Sequence, residues 1–156
     1  MNKEEEIVEE LKKAFGEKII EVKVPRKRRI FVTISDKWYK DLIKYLSEKM
    51  QITHVSTITG MDVGNKIEVM PHLFGKGVEI TVKVAVPKEK PEIDTITDVL
   101  PGANLYEREV YDILGVVFIG HPNLERLILP EDWPEGVYPL RKEYKPQPPE
   151  PIRRKA

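Results

Sequence analysis

At 156 residues the chain is long enough to bury one real core and too short for two full domains plus a linker. Its 26 basic residues balance 26 acidic ones, so bulk electrostatics gives no argument for a nucleic-acid or anionic-membrane partner. With no cysteine, disulfides, thiolate zinc sites, cysteine-ligated iron–sulfur clusters and cysteine nucleophiles are excluded within this chain.

Residues 3–15 read as an amphipathic helix, with Ile7, Val8, Leu11, Ala14 and Phe15 at helical spacing, Glu4 to Glu6 at the positive end of its dipole and Gly16 as a stop. The alternating "KIIEVKVP" and "IFVTI" predict a hairpin turning across Pro25 to Arg29. Ser35 or Asp36 then caps a second helix over 36–50, whose apolar face carries Trp38 or Tyr39, Leu42, Ile43, Leu46 and Met50. Three strands follow at 52–60, 66–74 and 78–87, separated by the turn-forming "MDVGN" and "GKG". Consecutive strands with short turns imply an antiparallel meander. The fold class is therefore α+β: an antiparallel or mixed sheet with helices packed on one face.

Beyond residue 93 the character changes. Two short helices are expected at 94–100 and 103–114, broken at Pro101-Gly102 and stopped at Gly115. The remainder is Pro-rich and irregular, a stiff segment with few core positions that suits lying along another protein. The expected organisation is an α+β domain over 1–93, a helix and docking segment over 94–145 completing it, and an extended Pro-rich tail over 146–156. No run of about 18 apolar residues exists and the N-terminus is acidic, so a soluble, cytoplasmic chain is expected. The charge-rich, cysteine-free composition is typical of hyperthermophilic proteins.

The stretch "YEREVYDILG" (106–115) concentrates charge. Helical spacing sets Arg108 and Asp112 four apart, as in an ion pair, and sends Glu107 and Glu109 to different sides, which argues against a carboxylate pair flanking a cleft. His54, His72 and His121 lack the spacing of a helical metal motif, and His121, before Pro122, suits fixing a loop. "GKG" at 75–77 lies between strands, so no phosphate-binding loop is indicated. "RKRR" (26–29) could meet phosphates but lacks interleaved aromatics, and "RRK" (153–155) is brief. Residue chemistry alone ends at an α+β domain with an extension made for a partner.

Residues 106–144, "YEREVYDILGVVFIGHPNLERLILPEDWPEGVYPLRKEY", closely resemble the signature of the thirty-kilodalton subunit family of respiratory complex I, also known as the C subunit of NADH-quinone oxidoreductase. Three blocks match in order: Glu107-Arg108-Glu109 with Tyr111-Asp112 and Gly115; Phe118, Gly120, His121-Pro122, Leu124, Arg126 and Leu129-Pro130; then Asp132-Trp133, Pro139-Leu140-Arg141-Lys142 and Tyr144. The family usually has tryptophan where this chain has Leu105 and aspartate where it has Glu143.

The resemblance implies a peripheral-arm subunit with no catalytic residue, cofactor or metal of its own, on the cytoplasmic side of the membrane and attached only through its complex. Its implied partners are a large catalytic subunit, of the complex I quinone-site type or of [NiFe]-hydrogenase type, and other peripheral-arm subunits, iron–sulfur proteins among them. An archaeal membrane-bound hydrogenase or its ferredoxin-linked relative is the favoured setting, and a proton-pumping NADH- or F420H2-quinone oxidoreductase is the alternative. The partner-binding residues it implies are Glu107, Arg108, Glu109, Tyr111, Asp112, Phe118, His121, Pro122, Arg126, Asp132, Trp133, Leu140, Arg141, Lys142 and Tyr144, with Glu107, Arg108, Glu109 and Asp112 forming ion pairs across the joint. Two readings of other classes stand beside it: a free-standing enzyme using the carboxylate cluster, and a nucleic-acid-binding module using "RKRR".

Overall fold

The computed structural model describes residues 2–146; beyond its first residue, the expected Pro-rich tail lies outside the described residues, as does "RRK". Helix α1 (Lys3–Phe15) starts at Asn2, whose side chain and that of Glu5 close a reciprocal capping box, and ends at Gly16. Strands β1 (Ile19–Arg26) and β2 (Arg29–Ile34) form the expected antiparallel hairpin. Helix α2 (Asp36–Glu48) follows, buried through Tyr39, Leu42, Ile43 and Leu46. Strands β3 (His54–Asp62), β4 (Lys66–Gly75) and β5 (Val78–Pro87) are the antiparallel meander.

The sheet order is β1-β2-β5-β4-β3, and β2 runs parallel to β5. Short-turn reasoning reaches only strands joined by short turns. The β2 to β3 connection contains α2, which carries the chain across and leaves the hairpin free to join β5.

Strand register sets the layers. Ile30 and Val32 stand beside Ile80 and Val82, and Ile67, Val69 and Leu73 beside Val86, Val84 and Ile80, so one face is apolar throughout. These residues join Ile7, Leu11, Leu42, Leu46, Val110 and Leu114 in a single buried cluster. Each such Leu or Ile is stabilised by roughly 1.5–3 kcal/mol relative to an exposed position. The opposite face is polar and carries cross-strand ion pairs, Arg29–Glu79 at 3.5 Å and Lys83–Glu68 at 3.6 Å.

The expected helix over 94–100 does not form. Instead β6 (Glu92–Asp94) pairs in parallel with β7 (Val117–Ile119), within the stretch expected to be irregular. The Thr95 hydroxyl accepts from the Thr97 N–H at 3.1 Å, so a local side-chain bond competes with the helical ladder. Helix α3 (Asn104–Leu114) then crosses β3 at Gly60, where a Cβ would stand 2.5 Å from Leu114 Cδ1.

Candidate functional site

Helix α3 presents three different surroundings to its charged residues. Glu107 is fully buried; it accepts from the Thr95 hydroxyl and, at 3.1 Å, from the Ile96 N–H. Burial pushes its carboxyl up to about 7 against the downward pull of those two bonds. The Tyr39 hydroxyl is buried without a hydrogen-bond partner among the described residues, and burial together with the Glu107 charge pushes that phenol well above its ordinary value.

Asp112, five residues further on, is also buried, and one of its oxygens accepts three consecutive backbone N–H groups, Leu127 at 3.2 Å, Ile128 at 2.8 Å and Leu129 at 2.8 Å. Hydrogen bonds to an ionised acceptor are the stronger kind, so this carboxylate sets the path of the loop. Arg108 holds the same loop from its other end, donating to the carbonyls of Glu125 at 3.1 Å and Arg126 at 2.9 Å. Arg126 in turn donates to the carbonyls of Pro130 at 3.2 Å and Trp133 at 2.6 Å. His121 accepts from the Asn123 N–H at Nδ1, which leaves Nε2–H to donate to the Asn104 carbonyl, each at 3.0 Å.

A second strap, 137–144, crosses the end of α3. Gly115 ends that helix with φ +80, and Arg141 donates to the Leu114 carbonyl at 2.8 Å while stacking on Tyr138. A Cβ at Gly115 would lie 2.6 Å from the Tyr138 ring, so glycine is required there on both counts. Trp133 donates to the Val137 carbonyl at 2.8 Å and leans on Tyr144. The strap is fastened to the sheet by Asp62, which accepts from Lys88 Nζ at 2.6 Å, the Lys142 N–H at 2.9 Å and the Gly64 N–H at 2.9 Å. Burial alone would raise the Asp62 carboxyl; those donors overrule it and hold the group below the usual carboxylate range. Lys88 also reaches Glu143 at 2.6 Å. Between loop and strap lies a cavity of about 340 Å³ lined by Tyr111, Asp112, Arg126, Trp133 and Tyr138.

The expected pairing of Arg108 with Asp112 along the helix is therefore corrected. Arg108 and Asp112 form no pair with each other: both face the 125–129 backbone, which offers carbonyls to one and N–H groups to the other. Glu107, Asp112 and Phe118 are buried within this chain. Glu109, Tyr111, His121, Arg126, Trp133, Arg141 and Tyr144 are half-buried, whereas Pro122, Asp132, Leu140 and Lys142 are exposed. Sequence reasoning missed Leu127 and Ile128, 41 % and 56 % exposed at the loop whose backbone Asp112 holds, and it missed Asp62. Leu140, 56 % exposed, lies on the neighbouring strap. The only signal for the first two was an aperiodic apolar pair inside "LERLILP". Among the described residues no cluster of three metal-capable side chains occurs.

The family described as "Respiratory-chain NADH dehydrogenase, 30 Kd subunit" matches residues 32–150, which contain α3, the loop and the strap. The chain belongs to that family. It is 32 % identical over 160 aligned positions to membrane-bound hydrogenase subunit beta of Pyrococcus furiosus, covering 98 % of this chain and 92 % of the relative. It is 33 % identical over 142 positions to the C subunit of F(420)H(2) dehydrogenase from Methanosarcina mazei, covering 88 % and 89 %. Its fold superposes with TM-score 0.80 and 30 % identity on a chain of the membrane-bound sulfane sulfur reductase, an archaeal respiratory membrane complex, covering 92 % of this chain and 86 % of that one.

Proposed function

We propose that this member of the family is a non-redox scaffold in the peripheral, cytoplasmic arm of a membrane-bound oxidoreductase, where the 121–144 segment docks the large catalytic subunit. One observation carries the reading: a segment with little regular structure has its backbone pinned by Asp112, Arg108, Arg126 and Arg141, yet turns Leu127, Ile128 and Leu140 outward. A pinned backbone lowers the ordering cost of binding, and exposed Leu and Ile at such a place are suited to burial against a partner. No helix among the described residues is long and apolar enough to cross a membrane, and in this reading the chain is attached through its complex.

The relatives in Pyrococcus and in the sulfane sulfur reductase favour a hydrogenase-type or sulfur-linked assembly, and the Methanosarcina relative supports the F420H2-linked alternative. Tagging the chain in its source organism, purifying from mildly solubilised membranes and identifying co-purifying chains by mass spectrometry separates them. A large subunit with nickel-ligating cysteines means hydrogenase, and its counterpart without them means quinone, ferredoxin or sulfur chemistry. Purification without any large subunit refutes the docking reading.

A further inference from the structure

The end of the sheet opposite Asp62 carries an unexplained concentration of positive charge. It is built from the β1–β2 turn, the β4–β5 turn and the start of α1, roughly 25 Å along β4 from the residue that pairs with Asp62. Lys3, Arg26, Lys27, Arg28 and Lys76 are all exposed. Lys3 Nζ donates to the Lys76 carbonyl at 3.3 Å, and a Cβ at Gly77 would stand 3.0 Å from an Arg28 guanidinium nitrogen and 3.6 Å from Lys3 Nζ, so two cations crowd one glycine.

Among the described residues none of these five side chains enters an ion pair, although Arg29 in the same hairpin does, as do Lys40, Lys83 and Lys88 elsewhere in the fold. The first turn of α1 offsets them only in part: Glu4, which accepts the Arg28 N–H at 2.7 Å, Glu5 in the capping box and Glu6 set three carboxylates against these five cations, and the cluster stays positive.

Local rules are broken here twice. Arg28 and Lys76 sit at φ +63 and +52, where a tight turn ordinarily takes Gly or Asn, and Arg26 stands directly across from Arg29, a like-charge pair that destabilises a hairpin. A sequence that places cations at both strained turns, against propensity and against electrostatics, points to a use for the charge. Phe74, 46 % exposed on β4 beside the second turn, adds an apolar contact of the kind that accompanies Arg at protein interfaces.

We propose that this end of the sheet is a second docking surface, which takes an acidic segment of a protein subunit other than the one met by residues 121–144. The inference rests on the assembly reading above, which surrounds the chain with other subunits. The zero net charge and the lack of a stacking series speak against a nucleic acid.

The test uses the complex purified through the tagged full chain. Zero-length carbodiimide cross-linking is expected to join Lys27 or Lys76 to Asp or Glu of another subunit. Lys27→Glu with Lys76→Glu should leave the large subunit bound and lower the yield of that second subunit about tenfold. Arg28→Gly relieves the positive φ, so it should raise Tm and still lower the same yield, a combination that a merely structural role does not produce. Undiminished yield of every subunit from the double variant overturns the proposal, as do cross-links only between copies of this chain. So does binding of the wild-type chain to phosphatidylserine vesicles or to an oligonucleotide that both variants abolish while subunit yields stay normal. Loss of the large subunit from the wild-type preparation is the separate failure of the docking reading.

Discussion

Replacing Glu107 by glutamine tests the account of α3 most sharply. The carboxylate is fully buried, with the Thr95 hydroxyl and the Ile96 N–H as its hydrogen-bond partners among the described residues. Its pKa rises from 4.5 to about 7 on folding, so the native state binds the extra proton between those values. A raised carboxyl contributes stability that is fully present below the unfolded pKa and lost as pH rises through the folded one. A shift of about 2.5 units at 1.36 kcal/mol each makes that loss about 3 kcal/mol between pH 4 and pH 8. Glutamine is isosteric with the protonated acid: its amide oxygen accepts from the Ile96 N–H and its NH2 donates to Thr95. Urea unfolding of wild type and Glu107→Gln, followed by circular dichroism at both pH values, cancels every other titration in the difference. The variant should match wild type at pH 4 and exceed it by about 3 kcal/mol at pH 8. An equal difference at both values would falsify a buried, proton-linked Glu107, because it would mean the carboxyl titrates alike in the folded and unfolded chain.

Three further substitutions probe the remaining links. Asp112→Ala removes the acceptor of three backbone N–H groups and should cost about 2–4 kcal/mol, with amide exchange at Leu127 to Leu129 rising first and recovery of the large subunit falling; unchanged exchange there refutes the loop-setting role. Gly60→Ala forces a methyl against Leu114 and Val110 and should destabilise by about 1–3 kcal/mol, lowering Tm by several degrees; a neutral result means α3 can shift. Asp62→Asn should weaken the strap by about 1–3 kcal/mol at pH 7 by replacing the charge-assisted bonds from Lys88 and the Lys142 N–H with neutral ones. The Asp62 carboxyl is depressed on folding, so its contribution is present above the ordinary value of 3.8 and disappears as pH falls below it. Wild type and variant should therefore converge in acid, and a gap that persists there refutes the ionised latch.

The local periodicities in the sequence determined a good part of the molecule. Helix α1 begins and ends where Asn2, Glu5 and Gly16 dictate, α2 buries the face that its 3.6-residue spacing marks, and β3 to β5 follow from alternation between turn-formers. These features depend on neighbours a few residues away, so they are legible without the fold. The matched signature likewise carried the family.

Only tertiary structure decided which distant groups meet. The β2–β5 pairing depends on where α2 carries the chain, and β6 wins over a helix because β7, more than twenty residues later, supplies a parallel partner while Thr95 bonds locally. The charges of "YEREVYDILG" look equivalent in sequence, yet Glu107 is sealed in the core, while Arg108 and Asp112 are drawn from each other to a loop fifteen or more residues away. A charged side chain goes to whichever unsatisfied groups the folded backbone brings within reach. Here those are the carbonyls and N–H groups of a loop without regular pairing, and their position exists only once α3 has packed on β3.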